Sequence, residues 1–233
     1  MKTMKRFRIF VALCVIVVFS GLVFAVSEKG GEALQKLMDG NKRFVSGTLA
    51  QKDLSAKKRE ELSKGQKPFA IVLTCSDSRV PPELLFDQGI GDVFVVRVAG
   101  NVVDPIALGS IEYAAEHLGS PLLLILGHSK CGAVKATLDE KGKPEGNIGE
   151  IEKKIMPAVA AAKKKGGTPD EILETAIKEN MKNVYADVMK NSKIIPHLVE
   201  EGKFMIAAGE YDITTGKIEM IELPKAAPAK SKH

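Results

Sequence analysis

The chain has 233 residues, 45% hydrophobic and 27% charged, enough to bury a substantial core as a single domain. Its formal net charge is +5, but Lys2, Lys5, Arg6 and Arg8 contribute four of those charges within a segment that holds no acid. Beyond it Lys is interleaved with Glu and Asp, and Trp is absent, which argues against a nucleic-acid-binding face.

The first 25 residues pair a basic stretch, MKTMKRFR, with the apolar run IFVALCVIVVFSGLVFA. This reads as a secretory signal cut after Ala25, so the membrane is met only in transit and the mature protein is periplasmic or secreted. An uncleaved anchor is the alternative, because the apolar run nearly reaches the length of a membrane span. Cleavage leaves two cysteines, Cys75 and Cys131, in a compartment where disulfides persist, so a single disulfide has to be weighed against any other role.

The mature domain is expected over 26–224. From Glu28 to Gly47, the residues Leu34, Leu37, Met38, Phe44 and Val45 recur among charges and predict an amphipathic helix. Ser55 caps a second short helix running to Lys64. Phe69 to Leu73 is continuously apolar, as expected of a strand buried on both faces, and it ends at Thr74-Cys75. A second strand is predicted over Val93 to Val96 and a third over Leu122 to Leu126. Between them Asp104 as cap and Pro105 in the first turn open a helix that stops at Gly119.

Strand, helix, strand at this spacing implies a right-handed parallel crossover. A capping box over Thr168 to Glu171 begins a long helix with apolar positions from Ile172 to Met189. Phe204 to Ala208 and, after the Thr215-Gly216 turn, Lys217 to Ile221 predict two further strands, the last at a sheet edge. Residues 225–233 read as a disordered basic tail. The fold class is α/β with a mainly parallel sheet.

Open parallel sheets place their sites beyond the carboxyl ends of strands, and two chemistry-bearing stretches fall there. Cys75-Ser76-Asp77-Ser78-Arg79 follows the first strand, and His128-Ser129-Lys130-Cys131-Gly132 follows the third. Cys75, His128 and Cys131 can meet at one ion. Two thiolates and an imidazole suit tetrahedral zinc, one per chain, and three protein ligands leave the fourth place open, as catalytic sites do. Arg79 is spaced to grip Asp77 in a two-bond fork and keep that carboxylate ionised, oriented toward solvent at the open place and off the metal.

These residues resemble the signature motifs of the β-class carbonic anhydrases. The spans are Cys75-Ser76-Asp77-Ser78-Arg79-Val80-Pro81-Pro82 and His128-Ser129-Lys130-Cys131-Gly132. The likeness extends to Gly91 through Asn101 and to Gly40-Asn41-Lys42-Arg43-Phe44, covering about Leu34 to Tyr211. It implies four parallel strands with an antiparallel edge strand, helices on both faces, and an N-terminal helical arm exchanged in a homodimer or dimer of dimers that shares its active-site walls. The implied activity is zinc-dependent reversible hydration of carbon dioxide to bicarbonate, with Asp77 and Arg79 catalytic and Gln88 and Gly132 contacting substrate. Asp77 becomes a fourth ligand only in a closed resting state, and Gln88 marks a constitutively open subgroup. Rival readings are hydrolysis of carbonyl sulfide or carbon disulfide on the same scaffold, or a zinc-binding regulatory protein without turnover.

Overall fold

The computed structural model describes residues 27–140, 144 and 146–224. The expected signal segment and basic tail lie outside the described residues. Among the described residues no helix is long and apolar enough to cross a membrane.

Five strands form one sheet in the order β2-β1-β3-β4-β5: β1 (Ala70–Thr74), β2 (Val93–Arg97), β3 (Leu122–His128), β4 (Met205–Tyr211) and β5 (Ile218–Ile221). The first four pair in parallel and β5 pairs antiparallel to β4, the arrangement implied by the resemblance. Every residue of β1 and β3 is buried, which is why both read as unbroken apolar runs. Alternation divides them between two cores. Ile71, Leu73, Leu123 and Ile125 face α4 (Pro105–Glu116), α6 (Ile148–Lys165) and α7 (Pro169–Asn191). Ala70, Val72, Leu122, Leu124 and Leu126 face α1 (Glu28–Ser46) and α3 (Pro82–Leu85). A fully buried Leu or Ile contributes about 1.5–3 kcal/mol relative to exposure, so these two strands anchor the domain.

The helix ends follow local chemistry. Asp104 accepts from Ala107 N at 2.7 Å to start α4, and Gly119 at φ +69° turns the chain just beyond its end. Thr168 and Glu171 form the reciprocal capping box of α7. Ser55 caps α2 (Ala56–Leu62) through Lys58 N.

The apolar face of α1, including Ala33 and Leu37, is covered by this chain's own sheet. Asn41 ties the helix down further: its amide donates to Leu85 O and Gly216 O and accepts from Ile218 N. Four helices carry no expectation from sequence: α3, α5 (Gly132–Asp139), α6 and α8 (Ile195–Glu200). In α6 an internal Pro157 interrupts the pattern, yet burial of Ile155, Ala158, Val159 and Ala162 holds the helix together through it.

The strand order also positions the site. After β1 the chain turns outward to β2, whereas after β3 it turns the opposite way to β4. The loops leaving β1 and β3 consequently diverge and open a crevice at the sheet's carboxyl edge.

Candidate metal centre

Three side chains converge in that crevice. Cys75 is the first residue past β1, His128 closes β3, and Cys131 caps the N-terminus of α5. Their ligand atoms all lie within 4.8 Å of one another, and the three residues are buried. Both cysteines are free thiols, so the disulfide alternative is not realised. Lys130, at φ +55°, supplies the tight turn that brings Cys131 back beside His128.

The imidazole is aligned for a cation. His128 Nδ1 lies 2.9 Å from Ser129 O, which places the proton on Nδ1 and leaves the Nε2 lone pair free. Nε2 is buried without a hydrogen-bond partner, and an unpartnered buried polar atom costs about 1–3 kcal/mol. A metal ion facing Nε2 removes that cost.

The sulfurs give a second reason. The two thiols titrate as a pair: Cys75 is shifted well below its ordinary value by the hydrogen bond from Cys131, against its own burial, with His128 assisting. Cys131 is shifted upward by Cys75 and by burial. A divalent cation that draws both sulfurs into the thiolate form ends this competition. Burial opposes charge on His128, but the Cys75 sulfur, the Ser129 carbonyl and Asp77 outweigh it and shift its pKa upward. An electronegative pocket of soft donors with one aligned imidazole is what zinc binds.

The loop carrying Cys75 is clamped from two sides. Arg97, at the end of β2, donates to Cys75 O at 3.1 Å and to Asp77 O at 2.6 Å. From the other side Gly100 N donates to Cys75 Sγ at 3.3 Å. Neither contact was legible in the sequence, because both depend on β2 lying beside β1.

Asp77 stands next to the three donors without joining them, with Oδ2 3.9 Å from His128 Nε2. Arg79 grips it in a fork, Nε to Oδ1 at 2.9 Å and Nη2 to Oδ2 at 2.7 Å, and the Arg79 backbone N–H adds a third bond at 2.9 Å. That guanidinium holds the Asp77 pKa far below the usual carboxylate range. Gly132 opens α5 with nothing within 4 Å of where a Cβ would stand, so the space beside Cys131 is clear.

Gln88 is placed elsewhere. It is buried, its amide donates to Phe86 O, and it packs under Gly40 of α1 rather than against the cysteines. The neighbouring Asp87, at φ +49°, turns it inward. Asp87 is buried, which disfavours its charge, but Lys52 at 2.6 Å, Arg43 at 2.5 Å and Ala50 N–H outweigh burial and keep its pKa low.

Comparison with known proteins agrees with this geometry. Residues 70–218 match the sequence profile of the family described as carbonic anhydrase. A carbonic anhydrase from Mycolicibacterium smegmatis is 39% identical over 191 residues, covering 81% of this chain and 91% of the relative. The structure of a Coccomyxa β-carbonic anhydrase in complex with acetazolamide superposes with a TM-score of 0.66 at 26% identity, covering 81% of this chain and 86% of that one. One of two tetrameric β-carbonic anhydrases from Sordaria macrospora gives a TM-score of 0.66 at 25% identity, covering 72% and 87%.

Proposed function

The chain belongs to the β class of the carbonic anhydrase family and hydrates carbon dioxide reversibly to bicarbonate and a proton; on that premise we propose which of its side chains carry the reaction and where it works. The observation that supports the assignment is the mutual approach of Cys75, His128 and Cys131, with His128 Nε2 unpaired among them. Those three hold zinc. Zinc bound there supplies Lewis acidity that lowers the pKa of water and readies it as a nucleophile at neutral pH. Stripping zinc with a chelator and returning it should abolish and restore carbon dioxide hydration; activity that survives stripping would count against the assignment.

Asp77 orients the attacking water and accepts its hydrogen bond, a role that requires an ionised carboxylate directed at the crevice. Arg79 keeps it ionised and, by occupying both oxygens, keeps it off the metal. This is the open arrangement; Asp77 moving onto the metal would close the site. Gly132 leaves room for the substrate oxygens beside Cys131, where any larger side chain would project into that space.

Gln88 reaches substrate only when a second copy of the chain supplies it, since within one chain it lies beneath α1. A homodimer or dimer of dimers that shares active-site walls would meet that requirement, and the tetrameric Sordaria relatives support such an assembly. Light scattering of the purified protein should return a dimer or tetramer; a monomer that retains full activity would remove Gln88 from the substrate contacts.

The protein works outside the cytoplasm, in the periplasm or beyond it. Support comes from the basic and apolar stretches of residues 1–25, with Ala25 at the cleavage position. The mature chain should begin at Val26 on N-terminal sequencing; a chain retained in the cytoplasm and beginning at Met1 would contradict this.

A further inference from the structure

Gly100 N–H donates to Cys75 Sγ from an unusual turn. Ala99–Asn101 form one 3-10 turn in which Gly100 has φ +68° and Asn101 φ +46°, so two successive residues occupy the left-handed region. Gly100 is fixed as glycine twice over, because a Cβ there would also lie 2.7 Å from Ile155 Cδ1. A left-handed residue other than glycine costs on the order of 1–3 kcal/mol and persists only where the surroundings impose it.

What imposes it comes from α7. Asn180, 1% exposed, donates its Nδ2 to Gly100 O at 2.8 Å, from a position 80 residues away in sequence. The bond fixes the peptide plane between the two left-handed residues, while Asn101 N closes the turn on Val98 O at 2.8 Å. The other half of the Asn180 amide, Oδ1, is buried with no partner. Its neighbours on the helix, Ala176, Ile177, Met181 and Val184, are apolar and buried. A half-satisfied amide there is a poor way to stabilise a core, and an aliphatic side chain would fill the same space without the desolvation cost.

We infer that Asn180 is a positioning residue of the metal centre: it holds the Gly100 turn so that its N–H points at Cys75 Sγ. The inference rests on the zinc assignment above. An N–H bond to a ligating sulfur draws charge from it and orients it, and outer contacts of this kind typically change metal affinity 10–100-fold.

The test uses the full mature protein loaded with cobalt in place of zinc. Asn180→Leu keeps the branched outline of the side chain and removes the donor; loss of the N–H bond raises the energy of the sulfur electrons. The sulfur-to-cobalt charge-transfer band should therefore move to longer wavelength, and zinc should be lost to a competing chelator at about 10–100-fold lower chelator concentration. Should Asn180→Leu fail to fold, Asn180→Ser gives the same readings. Val188→Ala, which loosens the far end of the same helix, should leave the band where it is in the wild type. An unmoved band and unchanged zinc retention in the Asn180 variant would overturn the inference, as would an equal shift in Val188→Ala. A wild-type protein that takes up no cobalt would instead remove the metal site itself.

Discussion

The Asp77 carboxylate lies 3.9 Å from His128 Nε2, the imidazole nitrogen that the protein leaves without a partner. It is held at that distance by Arg79, which is half exposed and occupies both carboxylate oxygens. An ion pair at this exposure adds little to stability, so its value is orientation.

Arg79→Ala should accordingly leave folding and zinc content near wild type while lowering kcat/KM for carbon dioxide hydration about 10–100-fold. Arg79→Lys keeps the charge but loses the planar fork and should fall between the two. Stopped-flow hydration paired with metal analysis reads both. Zinc loss matching the loss of activity would show that the pair supports the ligands rather than the reaction.

Replacing a helical glycine by alanine ordinarily stabilises by about 1 kcal/mol. At Gly40 the sign should reverse, because a Cβ there would sit 1.8 Å from Phe86 O and 2.6 Å from Phe86 C. The clash is with backbone, so α1 must lift from α3 and disturb the Asn41 bonds to Leu85 O and Gly216 O. Gly40→Ala should lose at least about 1–3 kcal/mol in urea unfolding. A gain in stability would mean that α1 sits further from the sheet than described.

Glu210 on β4, paired in register with Gly127 of β3, carries a pH dependence of folding. Burial, reinforced by Glu174 of α7, raises its pKa from 4.5 to about 7, against the pull of Lys178. Lys178 Nζ lies 3.6 Å from Oε2, and Glu219 is its partner across the ladder on β5. The folded state holds this proton more tightly than the unfolded chain, so the stability it contributes is complete below pH 4.5 and is lost as pH rises through about 7. Glu210→Gln cannot lose a proton. Its urea midpoint should gain on the wild type between pH 5 and pH 8; parallel midpoints would show that Glu210 ionises without penalty.

The parts legible in the sequence share a cause: their chemistry is local. β1 and β3 are buried on both faces and read as apolar runs, α7 announces its start with Thr168 and Glu171, and Cys75, His128 and Cys131 stand at or just beyond the ends of buried strands. What was missed depends on the assembled fold. Arg97 looks like an ordinary strand-end cation until β2 lies beside β1, and Asn180 reads as a polar interruption of α7 until the Gly100 carbonyl arrives opposite it. Helix α6 is hidden by Pro157 and by a lysine-rich end whose alanines give little contrast between faces. Gln88 is the opposite case: its motif match gives it a role at the site, while within one chain it lies beneath α1, so its reach depends on more than one chain.

On the proposed function, hydration depends on the one zinc site that the side chains of Cys75, His128 and Cys131 form. Cys131→Ala removes one sulfur from that set while leaving the backbone cap of α5 intact. Stopped-flow carbon dioxide hydration and zinc content, measured on the same preparations of wild type and variant, test it most directly. The wild type should carry one zinc per chain and hydrate rapidly, and the folded variant should lose zinc and activity together. Full activity in a zinc-free preparation of either protein would contradict the account.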